Sequence, residues 1–165
     1  MAFCFYHQVQ AENTKKTTED TERFPCFVAD CPFMAAYLLN GFCDDELSDC
    51  IKHIEYVLEN NGQIYVPPLF WYEIQNVLLY KTRSTKDGAA RLTNTDVMDI
   101  MYDLQCLPIF TDVLPEAQIR QRIYTIAQEH NLSYYDASYL ELAHRYNLPL
   151  KTYDEDLESA YKKSL

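Results

Sequence analysis

No run of about 18 consecutive apolar residues occurs anywhere in the chain, so a bilayer-spanning helix is excluded on length. The opening stretch MAFCFYHQVQ has neither the basic start nor the long apolar core of a secretory signal. No two of the cysteines form a CxxC pair, and Cys4, Cys26, Cys31, Cys43, Cys50 and Cys106 read as reduced, mostly core-filling thiols of a cytoplasmic protein. Basic residues are scarce: 14 Lys and Arg stand against 25 Asp and Glu, a formal charge of −11. Broad, non-specific adhesion to nucleic acid draws on many Lys and Arg, so that mode is disfavoured, although a small basic patch beside a metal site is not. With only three glycines the chain has no Gly-rich phosphate loop, and it also lacks a GxSxG elbow and a DxD start. Those absences count against another α/β hydrolase or a metal-dependent phosphatase. There is no internal repeat and no low-complexity tract.

What the chain does have is apolar and aromatic content, 48% and 14%, well above disordered composition. At 165 residues it is most simply one domain, able to bury roughly two thirds of its unfolded surface without disulfides or a structural metal. Residues 1–23 read as a polar N-terminal extension, flexible or partner-binding, and 24–165 as the folded domain. Within the domain, PCFVAD, QIYVPP, LPIF and LPLKT read as short buried strands. Each alternates with helical patterns: PFMAAYLLNG with Pro32 in its first turn, DDELSDCIKHIEYVLENNG, LFWYEIQNVLLYKTR, GAARLTNTDVMDIMYDLQC, PEAQIRQRIYTIAQEHN, SYYDASYLELAHRYN and DEDLESAYKKSL. Short strands repeatedly followed by helices predict an α/β fold whose mainly parallel sheet is covered on both faces.

Ligands of such folds gather at the carboxyl ends of the strands. Asp30 and Asp154 each follow a strand there, and Asp136 opens a helix. Glu73 sits inside a hydrophobic helix, flanked by Leu69, Val77 and Tyr80, where a carboxylate must find a partner or lose its charge. Asn76 lies on the same side and would orient it. Plainer roles exist for the others. Ser133 as N-cap would put Asp136 at the third helical position, and Thr152 or Asp154 would cap the last helix, with Glu155 and Asp156 favouring its start.

The stretches FVADCPFMAAYLL, VPPLFWYEIQNVLL and LSYYDASYLELAHRYNLPLKTYDEDL resemble, in order and spacing, the PIN-domain ribonucleases of the VapC-like toxin group. The resemblance implies a three-layer α/β/α sandwich and a catalytic, metal-holding set of Asp30, Glu73, Asp136 and Asp154, with Asn76, Thr152 and Asp156 in support. It also implies a cytoplasmic Mg²⁺-dependent endoribonuclease toxin, with Mn²⁺ as a substitute, acting on RNA, neutralised by a small antitoxin protein and forming a homodimer, with no membrane partner. The chemistry agrees: hard Mg²⁺ prefers oxygen donors and polarises a phosphodiester and its attacking water. One departure is Pro32, where the family commonly has a small hydroxyl residue; proline offers neither a side-chain donor nor an amide proton. It motivates the alternative of a PIN-like RNA- or protein-binding regulatory protein with little or no turnover.

The densest basic segment, KTRSTKDGAAR, offers Lys81, Arg83, Lys86 and Arg91 to hold RNA phosphates near the acids. Cys43, Cys50 and His53 lack the regular spacing and fourth ligand of a zinc site. Tyr134, Tyr135, Tyr139 and Tyr146 read as helix residues packing against the sheet or a partner, with base stacking as the other option. His144 reads as a partly buried packing residue, and Phe70, Trp71 and Tyr72 as core, with a partner surface as the other option.

Overall fold

The computed structural model describes residues 25–39, 44–83 and 91–165. The expected extension, 1–23, lies outside them, as do Cys4, Gly41, Cys43 and Lys86. The elements run β1 (Cys26–Ala29), α1 (Cys31–Leu38), α2 (Asp44–Glu59), β2 (Gln63–Val66), α3 (Phe70–Lys81), α4 (Asn94–Cys106), β3 (Ile109–Thr111), α5 (Ala117–His130), α6 (Tyr134–Tyr146), β4 (Leu150–Lys151) and α7 (Glu155–Ser164). The strands form one sheet in the order β3-β2-β1-β4, and all three pairings are parallel. Around it α1 packs on α2 and α3, while α6 packs on α5 and α7 and reaches β1, β2 and β4. The result is the three-layer α/β/α sandwich expected from the strand–helix alternation.

The central strand explains itself. Phe27, Val28 and Ala29 are all buried because β1 is flanked by strands on both edges and covered on both faces, so its side chains cannot alternate between core and solvent. Each large apolar side chain buried in this way, such as Phe27, Ile64 or Val66, contributes about 1.5–3 kcal/mol. Val28 pairs in register with Tyr65 on one side and Leu150 on the other.

Boundaries follow caps. α5 and α6 end at Asn131 and Asn147, both left-handed at φ 54° and 53°. A β-carbon on Gly62 would meet the Pro25 carbonyl oxygen at 1.6 Å, so only glycine fits between α2 and β2. The helical pattern expected to run through GAARLTNTDVMDIMYDLQC starts later than its composition suggests. Thr93 and Asp96 form a reciprocal capping box that fixes the start of α4 at Asn94, and the amides of Arg91 and Leu92 instead bond the Lys81 carbonyl. Among the described residues no helix is long and apolar enough to cross a membrane.

Candidate active site

The carboxyl ends of β1 and β4 lie side by side, and the acid that ends β1 is buried. Asp30 is 2% exposed and caps α1, accepting the Phe33 amide at 2.8 Å. Pro32 occupies the first turn of this helix, where its missing amide proton breaks no helical bond, and its ring is exposed. The second Asp30 oxygen accepts the hydroxyl of Thr152 from the end of β4. Burial lifts the Asp30 carboxyl from the ordinary 3.8 to about 7; the bonds from Thr152 and Phe33 oppose that rise, and the charges of Asp154 and Asp136 add to it.

That electrostatic coupling brings together acids far apart in the chain. Asp154 caps α7 through the Leu157 amide at 2.8 Å, and its own amide donates to Thr152 Oγ1 at 2.9 Å. Thr152 is therefore not the helix cap; it ties the β4 end to Asp30. Asp136 occupies the third position of α6, where Ser133 Oγ accepts its amide at 3.1 Å and donates to its carboxylate at 2.6 Å. The helix-start role coexists with a charge that Asp30 feels, since α6 packs against β1 and β4.

Glu73 does find a partner, but it is not Asn76. The hydroxyl of Tyr139, itself 2% exposed, donates to Glu73 Oε2 at 2.5 Å. Burial raises the Glu73 carboxyl above its usual range, the Tyr139 bond holds it down, and the Asp136 charge pushes it up again. Asn76 is exposed and lines a groove between α3 and α4 with Val97 and Met98. Asp156 is exposed in the first turn of α7. Buried Cys31 shares this environment: burial, then the charges of Glu73 and Asp30, push its thiol up to about 12, so it stays protonated.

The PIN domain family matches residues 37–163, more than half of the chain. The chain belongs to the PIN domain family. Asp30 precedes the matched span, while Glu73, Asp136 and Asp154 fall within it. The crystal structure of PAE2754 from Pyrobaculum aerophilum is similar to this PIN domain in fold, with a TM-score of 0.56 and 23% identity over 82% of this chain and 86% of that one. No curated protein sequence matches the chain.

The four acids of this PIN domain offer only oxygen donors, and burial and neighbouring charge disfavour ionisation of Asp30 and Glu73, which is donor chemistry suited to a hard divalent cation. Among the described residues, no group of three His, Cys, Asp or Glu side chains is gathered closely enough to hold a metal ion. Of the basic residues, Arg83 and Arg91 are exposed and Lys81 is half-buried at the end of α3. Bonds from the Arg91 and Leu92 amides to the Lys81 carbonyl bring Arg91 back to that helix end. At 1.5 Å per residue, Lys81 stands on the order of 12 Å along α3 from Glu73.

Sequence reading missed a second polar cluster over β2 and β3. Asp112, 7% exposed at the end of β3, pairs with Arg145 and accepts the Tyr146 hydroxyl at 3.2 Å. Arg145 also pairs with buried Glu141 at 3.1 Å, and Glu141 receives Arg122 at the same distance. Two signals were present: Asp112 follows an apolar strand much as Asp30 does, and Glu141 and Arg145 are four apart on an otherwise apolar helix face. Tyr146 also packs on Tyr65, at 5.1 Å between ring centroids, as helical recurrence predicts. Tyr134 and Tyr135 are exposed instead. His144, near the end of α6, has an exposed edge but lies 2.8 Å from Ser164 Oγ of α7, and burial lowers its imidazole below the ordinary range. Phe70 is core, Trp71 donates to Thr111 Oγ1 at 2.8 Å, and Tyr72 is 81% exposed.

Proposed function

We propose that this PIN domain is a metal-dependent endoribonuclease of the VapC-like toxin kind, restrained by a small antitoxin. The observation that carries this reading is the Thr152 hydroxyl, which donates to Asp30 and accepts the Asp154 amide where the carboxyl ends of β1 and β4 meet, with the charge of Asp136 raising both Asp30 and Glu73. Asp30 and Asp136 are the principal metal ligands, with Glu73 and Asp154 completing the site. Mg²⁺ or Mn²⁺ bound there would supply polarisation of the phosphodiester and a lowered pKa for the attacking water. The chain's own contribution is positional: Thr152 fixes Asp30, Tyr139 fixes Glu73, and Ser133 fixes Asp136. Lys81, Arg83 and Arg91 hold the substrate backbone, which an acidic chain must otherwise repel. Exposed Tyr72 and Tyr80 of α3 and Met98 and Tyr102 of α4 supply apolar surface for an antitoxin or a second copy.

The deciding experiment is cleavage of RNA by the purified protein with Mg²⁺ or Mn²⁺, beside an Asp30→Asn control. Cleavage by the wild type alone supports the nuclease; identical products from both samples defeat it. Calorimetry of Mn²⁺ binding to wild type and Asp136→Asn tests the ligand assignment, and equal affinity removes Asp136 from it. A second reading, a PIN-like regulatory protein without turnover, is favoured by Pro32 and by the lack of a closed three-ligand cluster among the described residues. It expects RNA or protein binding with no metal-dependent cleavage in the same assay.

A further inference from the structure

A cavity of about 200 Å³ opens over the ends of β2 and β3. Its walls include Pro67 and Pro68 after β2, Leu114 after β3, Ile123 of α5, and Tyr134 and Tyr135 of α6. Asp112, Glu141 and Arg145 line it as well, and their charges answer one another. With Arg122 on Glu141, the cluster has two acids and two guanidinium groups, a neutral patch on a chain of formal charge −11. The rim is accessible, with Tyr134 at 40% and Tyr135 at 60% exposed.

We propose that this cavity receives one unpaired nucleobase of the RNA strand whose phosphate lies at Asp30 and Asp136, an inference that rests on the nuclease reading above. The volume is below the roughly 300–1,000 Å³ of sites that enclose a whole small ligand, so the occupant is one ring system of a larger molecule. The apolar walls exclude a phosphate, and the arginine is already engaged by two carboxylates. What a polyanion can insert here is its neutral, planar part. Position selects the same occupant. Tyr135 directly precedes Asp136 on α6, and one of the cavity's two loops leaves β2, which pairs with β1, so base and cleaved phosphate would share one rim. Tyrosine faces bind any base by stacking, and only an unpaired base is free to enter.

The test uses the full chain and single-stranded pentaribonucleotides, intact or abasic at one position, with affinities measured in EDTA. The proposal expects one position at which losing the base weakens binding roughly 5- to 150-fold, the range for one base–aromatic stack, and little effect elsewhere. Tyr135→Ala, at an exposed site, and Ile119→Trp, which fills the cavity, should each weaken the intact pentamer and abolish the penalty at that position. Circular dichroism verifies that both variants fold. A uniform penalty, no binding by wild type, or the same penalty in both folded variants overturns the proposal; the last result would leave the cavity to a protein partner. Adding Mg²⁺ to wild type and Asp30→Asn reads the nuclease separately. A position-specific penalty without cleavage keeps the pocket and fails the nuclease, and cleavage without the penalty does the reverse.

Discussion

Replacing Asp30 by asparagine should stabilise the metal-free protein at neutral pH while removing the proposed activity. Asp30 is buried, and its carboxyl is raised from 3.8 to about 7, so the folded state holds a proton there that the unfolded chain releases near pH 4. Between those values the folded state binds more protons than the unfolded one, and stability falls as pH rises. The difference, at about 1.4 kcal/mol for each tenfold change, amounts to ~4 kcal/mol that is fully present below pH 4 and lost by pH 7. The substituted amide would carry no charge at any pH. Its side-chain oxygen can still accept the Phe33 amide, but the Thr152 hydroxyl loses its carboxylate acceptor, at about 0.5–1.5 kcal/mol. The variant should therefore be more stable than wild type above pH 7 by about 3 kcal/mol and slightly less stable near pH 4. Urea unfolding of both proteins in EDTA across this range measures the difference directly, with contributions from other titrating groups cancelling between them. Parallel curves would refute the reasoning, since they would mean that Asp30 ionises in the fold as it does in the unfolded chain.

Tyr139→Phe removes the hydroxyl that Glu73 accepts, leaving a half-buried carboxylate short of its donor. Thermal or urea unfolding should register a loss of about 1–3 kcal/mol. The acidic limb of the cleavage pH profile should also move to higher pH, because the bond that holds Glu73 down is gone. Arg145→Met would strand Asp112 in the interior and leave Glu141 with Arg122 alone, costing about 3–5 kcal/mol in urea, and replacing both acids by leucine in the same variant should recover most of it. Gly62→Ala drives a methyl group into the Pro25 carbonyl and should cost at least about 1–3 kcal/mol, read as a lower unfolding midpoint; an unchanged midpoint would contradict the close approach.

The acids differ in how far the sequence exposed them. Asp30 was legible because a short apolar run ending in an acid, followed by proline and a helical pattern, marks the place where a parallel strand turns into a helix. Asp136 was legible as an acid at the third position of a helix capped by Ser133, and Asp154, like Thr152, as a candidate cap of the last helix. Glu73 stood out as a charge on an apolar helix, yet its partner did not: Tyr139 is 66 positions away and meets it only in the folded chain. Asn76 was the natural local choice from spacing alone, and spacing carries no information about which of two neighbours is nearer in space. The same limit hid the pairing of Asp112 with Arg145, 33 residues apart.

Composition and periodicity thus determined, without coordinates, that this chain alternates short buried strands with amphipathic helices and so builds a parallel sheet covered on both faces. These are local properties, set by which side chains recur at which interval and which residues can cap or turn the backbone. Tertiary structure alone decided that Thr152 and Tyr139 hold two of the acids and that a cavity opens over the ends of β2 and β3. Burial raises Asp30 to about 7 only after β1 has neighbours on both edges, because desolvation belongs to the assembled fold and not to any segment of it.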